Sequence, residues 1–126
     1  MTELPSISVD TLQPPIFIYG SLRMGGMERV IGESNLIETA PAFVRGVKKG
    51  MGDLFLCADV THDIADRTEG ELCYVRNDTY EATIEILDEY EGVKDGYYRR
   101  HLIFAQKFSK SGLFIPAWLY SRGEKL

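Results

Sequence analysis

Hydrophobic positions along this chain fall into short blocks, and their spacing changes once. The first block, Ile16-Phe17-Ile18-Tyr19, is an unbroken run of β-branched and aromatic residues that stops at Gly20-Ser21. A short apolar run of this composition, closed by a small-residue turn, reads as a buried strand. Residues 27–33 predict a short helix closed by Ser34-Asn35. Residues 42–47, 54–60 and 69–75 predict further strands, with Leu72, Cys73 and Tyr74 as buried candidates in the last. Pro41 has no N–H, so it is expected to keep the start of the second strand off a central ladder position. Gly46, Gly50 and Gly52 predict tight bends, and the polar residues 61–68 a surface loop.

The period then becomes helical. Tyr80, Ile84 and Leu87 recur at spacings of four and three, so residues 79–91 predict an amphipathic helix. Asp78 is the expected cap, with Glu81 three positions on to complete a capping box. Gly92 is the expected stop. Residues 97–108 and 113–120 predict two strands around a turn at 109–112. Strands, a helix, then more strands imply an α+β domain whose mixed or mainly antiparallel sheet could curl into a barrel.

The helix carries many acids, Glu81, Glu85, Asp88, Glu89 and Glu91, and such a run is ordinarily a solvated face. The helical wheel separates one of them. At about 100° per residue with Tyr80 at zero, Ile84 falls near ~40°, Leu87 near ~340° and Glu91 near ~20°, while Glu85 and Glu89 lie opposite. Glu91 therefore continues the apolar stripe. Apolar surroundings and the negative helix end both disfavour its charged form, which raises its pKa towards that of a general base. The other course open to it is that the last turn frays and Glu91 reaches solvent, or pairs with Arg99 or Arg100.

Totals narrow the classes of function. The 126 residues, 44% hydrophobic and 26% charged, suit one domain with its own core. A formal net charge of −5 leaves no sustained basic face, so nucleic acid and anionic membranes are not expected partners. No apolar run reaches the ~20 residues that span a bilayer. Residues 1–14 lack the pattern of a signal peptide and read as a loose arm before a single domain at 15–126. Cys57 and Cys73 sit alone in apolar segments, as small buried hydrophobes in a reducing, cytoplasmic setting. His62 and His101 lack partners at ligand spacing, so no metal is expected. Ser21 is not a hydrolase nucleophile, because Tyr19 and Arg23 stand where the elbow motif needs glycines.

Four segments in order carry a resemblance. Tyr19-Gly20-Ser21-Leu22-Arg23, followed by Gly25, resembles the opening signature of the γ-glutamylcyclotransferase-like superfamily. Glu69-Gly70-Glu71-Leu72-Cys73-Tyr74-Val75 is similar to its Gly-Glu-aromatic strand. Leu87-Asp88-Glu89-Tyr90-Glu91-Gly92 is similar to its Leu-Asp-x-x-Glu-Gly motif. Tyr97-Tyr98-Arg99-Arg100 is similar to its Tyr-x-Arg element.

The resemblance implies a small mixed or antiparallel β-barrel flanked by short helices. It implies release of 5-oxoproline from a γ-glutamyl compound without metal or cofactor. Glu91 matches the catalytic glutamate, and Tyr19, Gly20, Ser21, Leu22 and Tyr98 match substrate-binding positions. The opening motif and the short chain look closest to the γ-glutamylamine cyclotransferase branch, with a small γ-glutamyl molecule as partner. Two features depart from the pattern: residues 49–53 replace the usual turn after the second strand block, and residues 1–14 have no counterpart. The alternative on the same fold is a non-catalytic module that binds a small carboxylate or another protein. Oligomeric state is not legible here.

Overall fold

The computed structural model describes residues 13–19, 26–51 and 56–125. In chain order its elements are β1 (Ile16–Ile18), α1 (Gly26–Ile31), β2 (Leu36–Arg45), β3 (Val47–Met51), β4 (Leu56–Val60), β5 (Arg67–Val75), α2 (Tyr80–Tyr90), β6 (Tyr98–Lys107) and β7 (Lys110–Arg122). A 3-10 turn, Glu33–Asn35, joins α1 to β2. Five strands form a closed barrel in the order β1-β5-β2-β6-β7, and β3-β4 is a separate two-stranded ribbon. β1 closes the barrel by pairing antiparallel with β5 and parallel with β7. The expected α+β barrel with flanking helices is the fold observed.

Alternation along each strand divides the apolar residues between two cores. Inside the barrel lie Phe17, Ala42, Val44, Leu72, Ala105, Ala117 and Leu119, with Val47 and Ala58 of the β3-β4 ribbon. Outside it, Ile16, Ile18, Cys73, Val75 and Tyr120 meet Met27 and Ile31 of α1 and Tyr80, Ile84 and Leu87 of α2. β1 is thus buried on both faces, which is why its sequence is an unbroken apolar run rather than an alternating one. Gly70 of β5 makes room for it. A Cβ there would stand 2.1 Å from the Ile18 carbonyl oxygen and 2.8 Å from the tip of the Phe17 ring.

At the boundary drawn after residue 14, Pro14 is buried, and its carbonyl accepts the Tyr80 hydroxyl at 2.7 Å. That hydroxyl in turn accepts the Trp118 indole N–H at 2.8 Å, so the entry to β1 is fixed to both α2 and β7.

Four local expectations are corrected. α2 is capped by Thr79 and not Asp78, and no side-chain cap bond forms. Thr79 Oγ1 donates instead to Asn35 Oδ1 at 2.7 Å, and the Asp78 carboxylate is taken by Arg76, whose Nε lies 3.0 Å away. Pro41 lies inside β2, paired with β5 opposite Glu71. Its carbonyl accepts the Phe108 N–H, so its nitrogen faces the edge where the β6 ladder has already ended and no bond is lost. Gly50 is an extended residue of β3 opposite Cys57, and only Gly46, with φ 75°, makes the bend that separates β2 from β3. The β6-β7 turn falls at residues 108–109, because β7 begins at Lys110. Gly52, Leu54 and Phe55 lie outside the described residues.

Gly70→Ala is expected to destabilise the protein by about 1–3 kcal/mol, the usual range for overpacking a filled core. Gly112→Ala, where an added Cβ meets nothing within 4 Å, is the control. Urea unfolding of both variants checks this, and equal midpoints would contradict the close approach of β1.

Candidate active site

Glu91 stands at the C-terminal end of α2 in helical backbone conformation (φ −82°, ψ −4°), and its N–H bonds to the Leu87 carbonyl at 2.9 Å. The helix end is well closed. Gly92, with φ 65°, donates to the Glu89 carbonyl at 3.1 Å, and Val93 donates to the Asp88 carbonyl at 3.0 Å. These two bonds are the Schellman arrangement, which needs a left-handed residue and hence glycine at position 92. The turn does not fray, and the Glu91 side chain is half-buried.

Among the described residues Glu91 makes no ion pair. Arg100 faces Asp88 instead, with Nε 3.1 Å from Oδ1. This is a charge contact too bent for a hydrogen bond, and Arg100 Nε has no other acceptor. The guanidinium also lies 4.3 Å from the centre of the Trp118 ring. With no cation beside it among the described residues, Glu91 responds to burial, which pushes its carboxyl up from 4.5 to about 7.

The charge of this carboxyl acts on three tyrosines. Burial raises the hydroxyl pKa of Tyr19, Tyr98 and Tyr120, and the negative charge of Glu91 adds to the rise in each. Tyr98 is pushed up to about 12, so all three remain neutral hydrogen-bonding groups at any working pH.

Two of the tyrosines are tied into one network. The Tyr19 hydroxyl accepts the Ala58 N–H at 3.0 Å and donates to the Tyr120 carbonyl at 2.5 Å. The Tyr120 hydroxyl donates to Asp88 Oδ1 at 2.7 Å. Tyr120 therefore holds the end of β1 with its backbone, and with its side chain it holds α2 one turn before Glu91. A cavity of about 300 Å³ adjoins the cluster at Ala58, with Arg99 and the ion-paired Asp59 and Arg122 in its wall.

Of the residues expected from the sequence, Glu91, Tyr19 and Tyr98 come together. Gly20, Ser21 and Leu22 lie outside the described residues. Sequence reasoning missed Tyr120, Asp88 and Cys57, whose thiol adds to the rise at Tyr19 and Tyr98. Strand alternation could have put Tyr120 on the helix-facing side with Trp118, but no periodicity names its partner on α2.

A family model described as gamma-glutamyl cyclotransferase, AIG2-like, matches residues 16–125. The chain belongs to this family. Among solved structures, a protein of Arabidopsis thaliana is similar at 22% identity and TM-score 0.68, over 93% of this chain and 74% of its own. An uncharacterised protein of Homo sapiens is similar at 17% identity and TM-score 0.70, over 88% of this chain and 67% of its own. A protein named gamma-glutamyl cyclotransferase is similar at 16% identity and TM-score 0.65, over 86% of this chain and 66% of its own. These likenesses show a shared fold, and this chain spans two thirds to three quarters of their length. No curated protein matches the sequence at a significant level. Among the described residues no helix is long and apolar enough to cross a membrane.

The raised carboxyl has a consequence for stability. Its folded pKa lies above its unfolded value, so folding holds the proton more tightly. That stability is complete below about 4.5 and is lost as pH rises through about 7. Glu91→Gln, which cannot ionise, is expected to match wild type near pH 4 and to exceed it above pH 7 by on the order of 3 kcal/mol. Urea unfolding at the two pH values checks this, and a difference that does not change with pH would show that Glu91 is not held as described.

Proposed function

We propose that the protein is a cyclotransferase that releases 5-oxoproline from a γ-glutamyl amine or a related γ-glutamyl compound. The observation that carries this reading is the Glu91 carboxyl, partly buried with no cation beside it among the described residues and poised at about 7. Family membership supplies the reaction type. The substrate's α-amino group must attack its own γ-carbonyl carbon, and at neutral pH that amine is protonated. Glu91 in its charged form removes the proton. The freed amine forms the new C–N bond of the five-membered lactam and gives up a second proton, the old γ-amide C–N bond breaks, and the departing amine takes up both protons, the first of them returned by Glu91. A group whose pKa lies near the working pH can both take and give this proton.

The tyrosines would line the other side of the reacting centre. Held neutral, Tyr98 can orient Glu91 or the amide without competing for the proton. The Tyr19–Tyr120 bond fixes the end of β1 relative to α2, and the backbone N–H groups of the next residues, Gly20-Ser21-Leu22, would hold the substrate carboxylate or the oxygen of the attacked carbonyl. Binding the γ-glutamyl chain bent makes the attack intramolecular, a gain of about 7–11 kcal/mol in ideal cases.

The purified chain, offered γ-glutamyl amines, γ-glutamyl amino acids and glutathione, is expected to release 5-oxoproline from at least one class. Glu91→Gln should lower that rate by about 10²–10⁴-fold, the usual contribution of a general base. The wild-type rate should rise with pH to a plateau, with its midpoint at about 7. No release from any of the three classes would favour the non-catalytic module. Release that Glu91→Gln leaves unchanged would keep the activity and remove Glu91 from it.

A further inference from the structure

The Tyr19 hydroxyl is gripped by two backbone groups. It accepts the Ala58 N–H of β4 at 3.0 Å and donates to the Tyr120 carbonyl of β7 at 2.5 Å. A phenol has one proton to give, so these two bonds together set its direction. The two groups belong to different parts of the fold. β7 is a barrel strand, whereas β4 lies in the two-stranded ribbon, which has no ladder to the barrel among the described residues. The grip on Tyr19 therefore depends on what holds the ribbon to β7.

One contact joins them at this point. Arg122 Nε lies 2.7 Å from Asp59 Oδ1, and Nη2 lies 3.4 Å from Oδ2. A two-point fork of this kind sets an orientation as well as a distance. Asp59 follows Ala58 directly, and Arg122 stands two residues after Tyr120 on the same face of β7. The ion pair thus ties the two segments together next to the two groups that hold the hydroxyl, and a ring closes on Tyr19. Bare backbone at Gly50 receives the pair. Gly50 stands opposite Cys57 in the ribbon, and a Cβ there would lie 3.2 Å from Asp59 Oδ2 and 3.4 Å from Arg122 Nη2. The pair also borders Tyr98. The ladder sets Tyr98 opposite Arg122, and the charges of Glu91 and Arg122 act on the Tyr98 hydroxyl in opposite senses.

We propose that Arg122 and Asp59 are positioning residues: their ion pair holds the Ala58 N–H and the Tyr120 carbonyl together around the Tyr19 hydroxyl, and so fixes Tyr19 within the site. The effect on rate rests on the cyclisation proposed for Glu91, but the grip on Tyr19 does not. Both partners are partly exposed, so the pair acts through geometry more than through stability. Without it the ribbon keeps the bond from the Thr68 hydroxyl to the Val47 carbonyl, at 2.8 Å, and the apolar contacts of Val47 and Ala58. Apolar contacts resist separation but are non-directional, so they do not hold the Ala58 N–H on a single oxygen. Tyr19 then keeps its proton and loses the direction in which it is held.

Hydrogen exchange and turnover of the full chain test this. Arg122→Gln and Asp59→Asn are each expected to speed exchange of the Ala58 amide by at least about 10-fold, with the amides of β5 unchanged. Each should lower kcat/KM for 5-oxoproline release by about 10–100-fold, the order of loss that a misplacement of about 1 Å brings. The double variant should be no slower than either single one, because each breaks the same tie. In Tyr19→Phe, which has no hydroxyl to hold, Arg122→Gln should change kcat/KM by less than about 2-fold. A merely structural contact would lower the rate equally with and without the hydroxyl, and that result would overturn the proposal. So would an Ala58 amide that stays protected in both single variants. A wild type that releases no 5-oxoproline would remove the proposed reaction alone, and exchange at Ala58 would still decide whether the pair holds Tyr19.

Discussion

Double burial of β1 is the constraint on which the other parts depend. Three residues face two cores at once, with Phe17 inside the barrel and Ile16 and Ile18 against the helices. The strand closes the barrel by joining β5 to β7, and in the same step it supplies the floor on which α1 and α2 lie. Such a short strand cannot hold its place by ladder bonds alone. Each fully buried side chain of this size contributes about 1.5–3 kcal/mol, and β1 collects that contribution on both faces. Gly70 permits the approach, and the Tyr80–Pro14 bond fixes the entry.

The site grows from that arrangement. Tyr19, just past β1, and Glu91, at the end of α2, stand near enough for the charge of Glu91 to act on the Tyr19 hydroxyl. Tyr120 secures the meeting by binding Tyr19 through its carbonyl and Asp88 through its hydroxyl. Arg100, one of the two cations the sequence offered as a partner for Glu91, is engaged with Asp88 and Trp118. The same contacts that anchor the helix thus leave one carboxyl at its end partly desolvated and, among the described residues, without an ion pair. Folding is least favoured where that carboxyl is charged, and the charged form is the one that can take a proton from substrate.

Much of this was legible in the residues. Unbroken apolar character marked β1 as buried, the 3.6-residue period separated Glu91 from Glu85 and Glu89, and Gly92 marked the helix stop. What escaped was local competition and long-range pairing. Asp78 had the right spacing for a capping box, but Arg76 two residues earlier offered a charged partner. Pro41 looked like a strand boundary because its missing N–H matters only on the side where a ladder runs, and sequence does not say which side that is. Gly50 resembled the bend at Gly46, although of these two only Gly46 has a positive φ. Tyr120 and Asp88 are 32 residues apart, and no local pattern links a strand residue to the helix turn it will meet.

The central claim is that burial holds the Glu91 carboxyl between its neutral and charged forms near physiological pH. Its titration can be followed directly by the ¹³C shift of the side-chain carboxyl in protein labelled at glutamate, with Glu91→Gln used to assign the signal. The account predicts a midpoint at about 7. A midpoint at the ordinary glutamate value of about 4.3 would contradict it, because that would mean a carboxyl in water or in an ion pair.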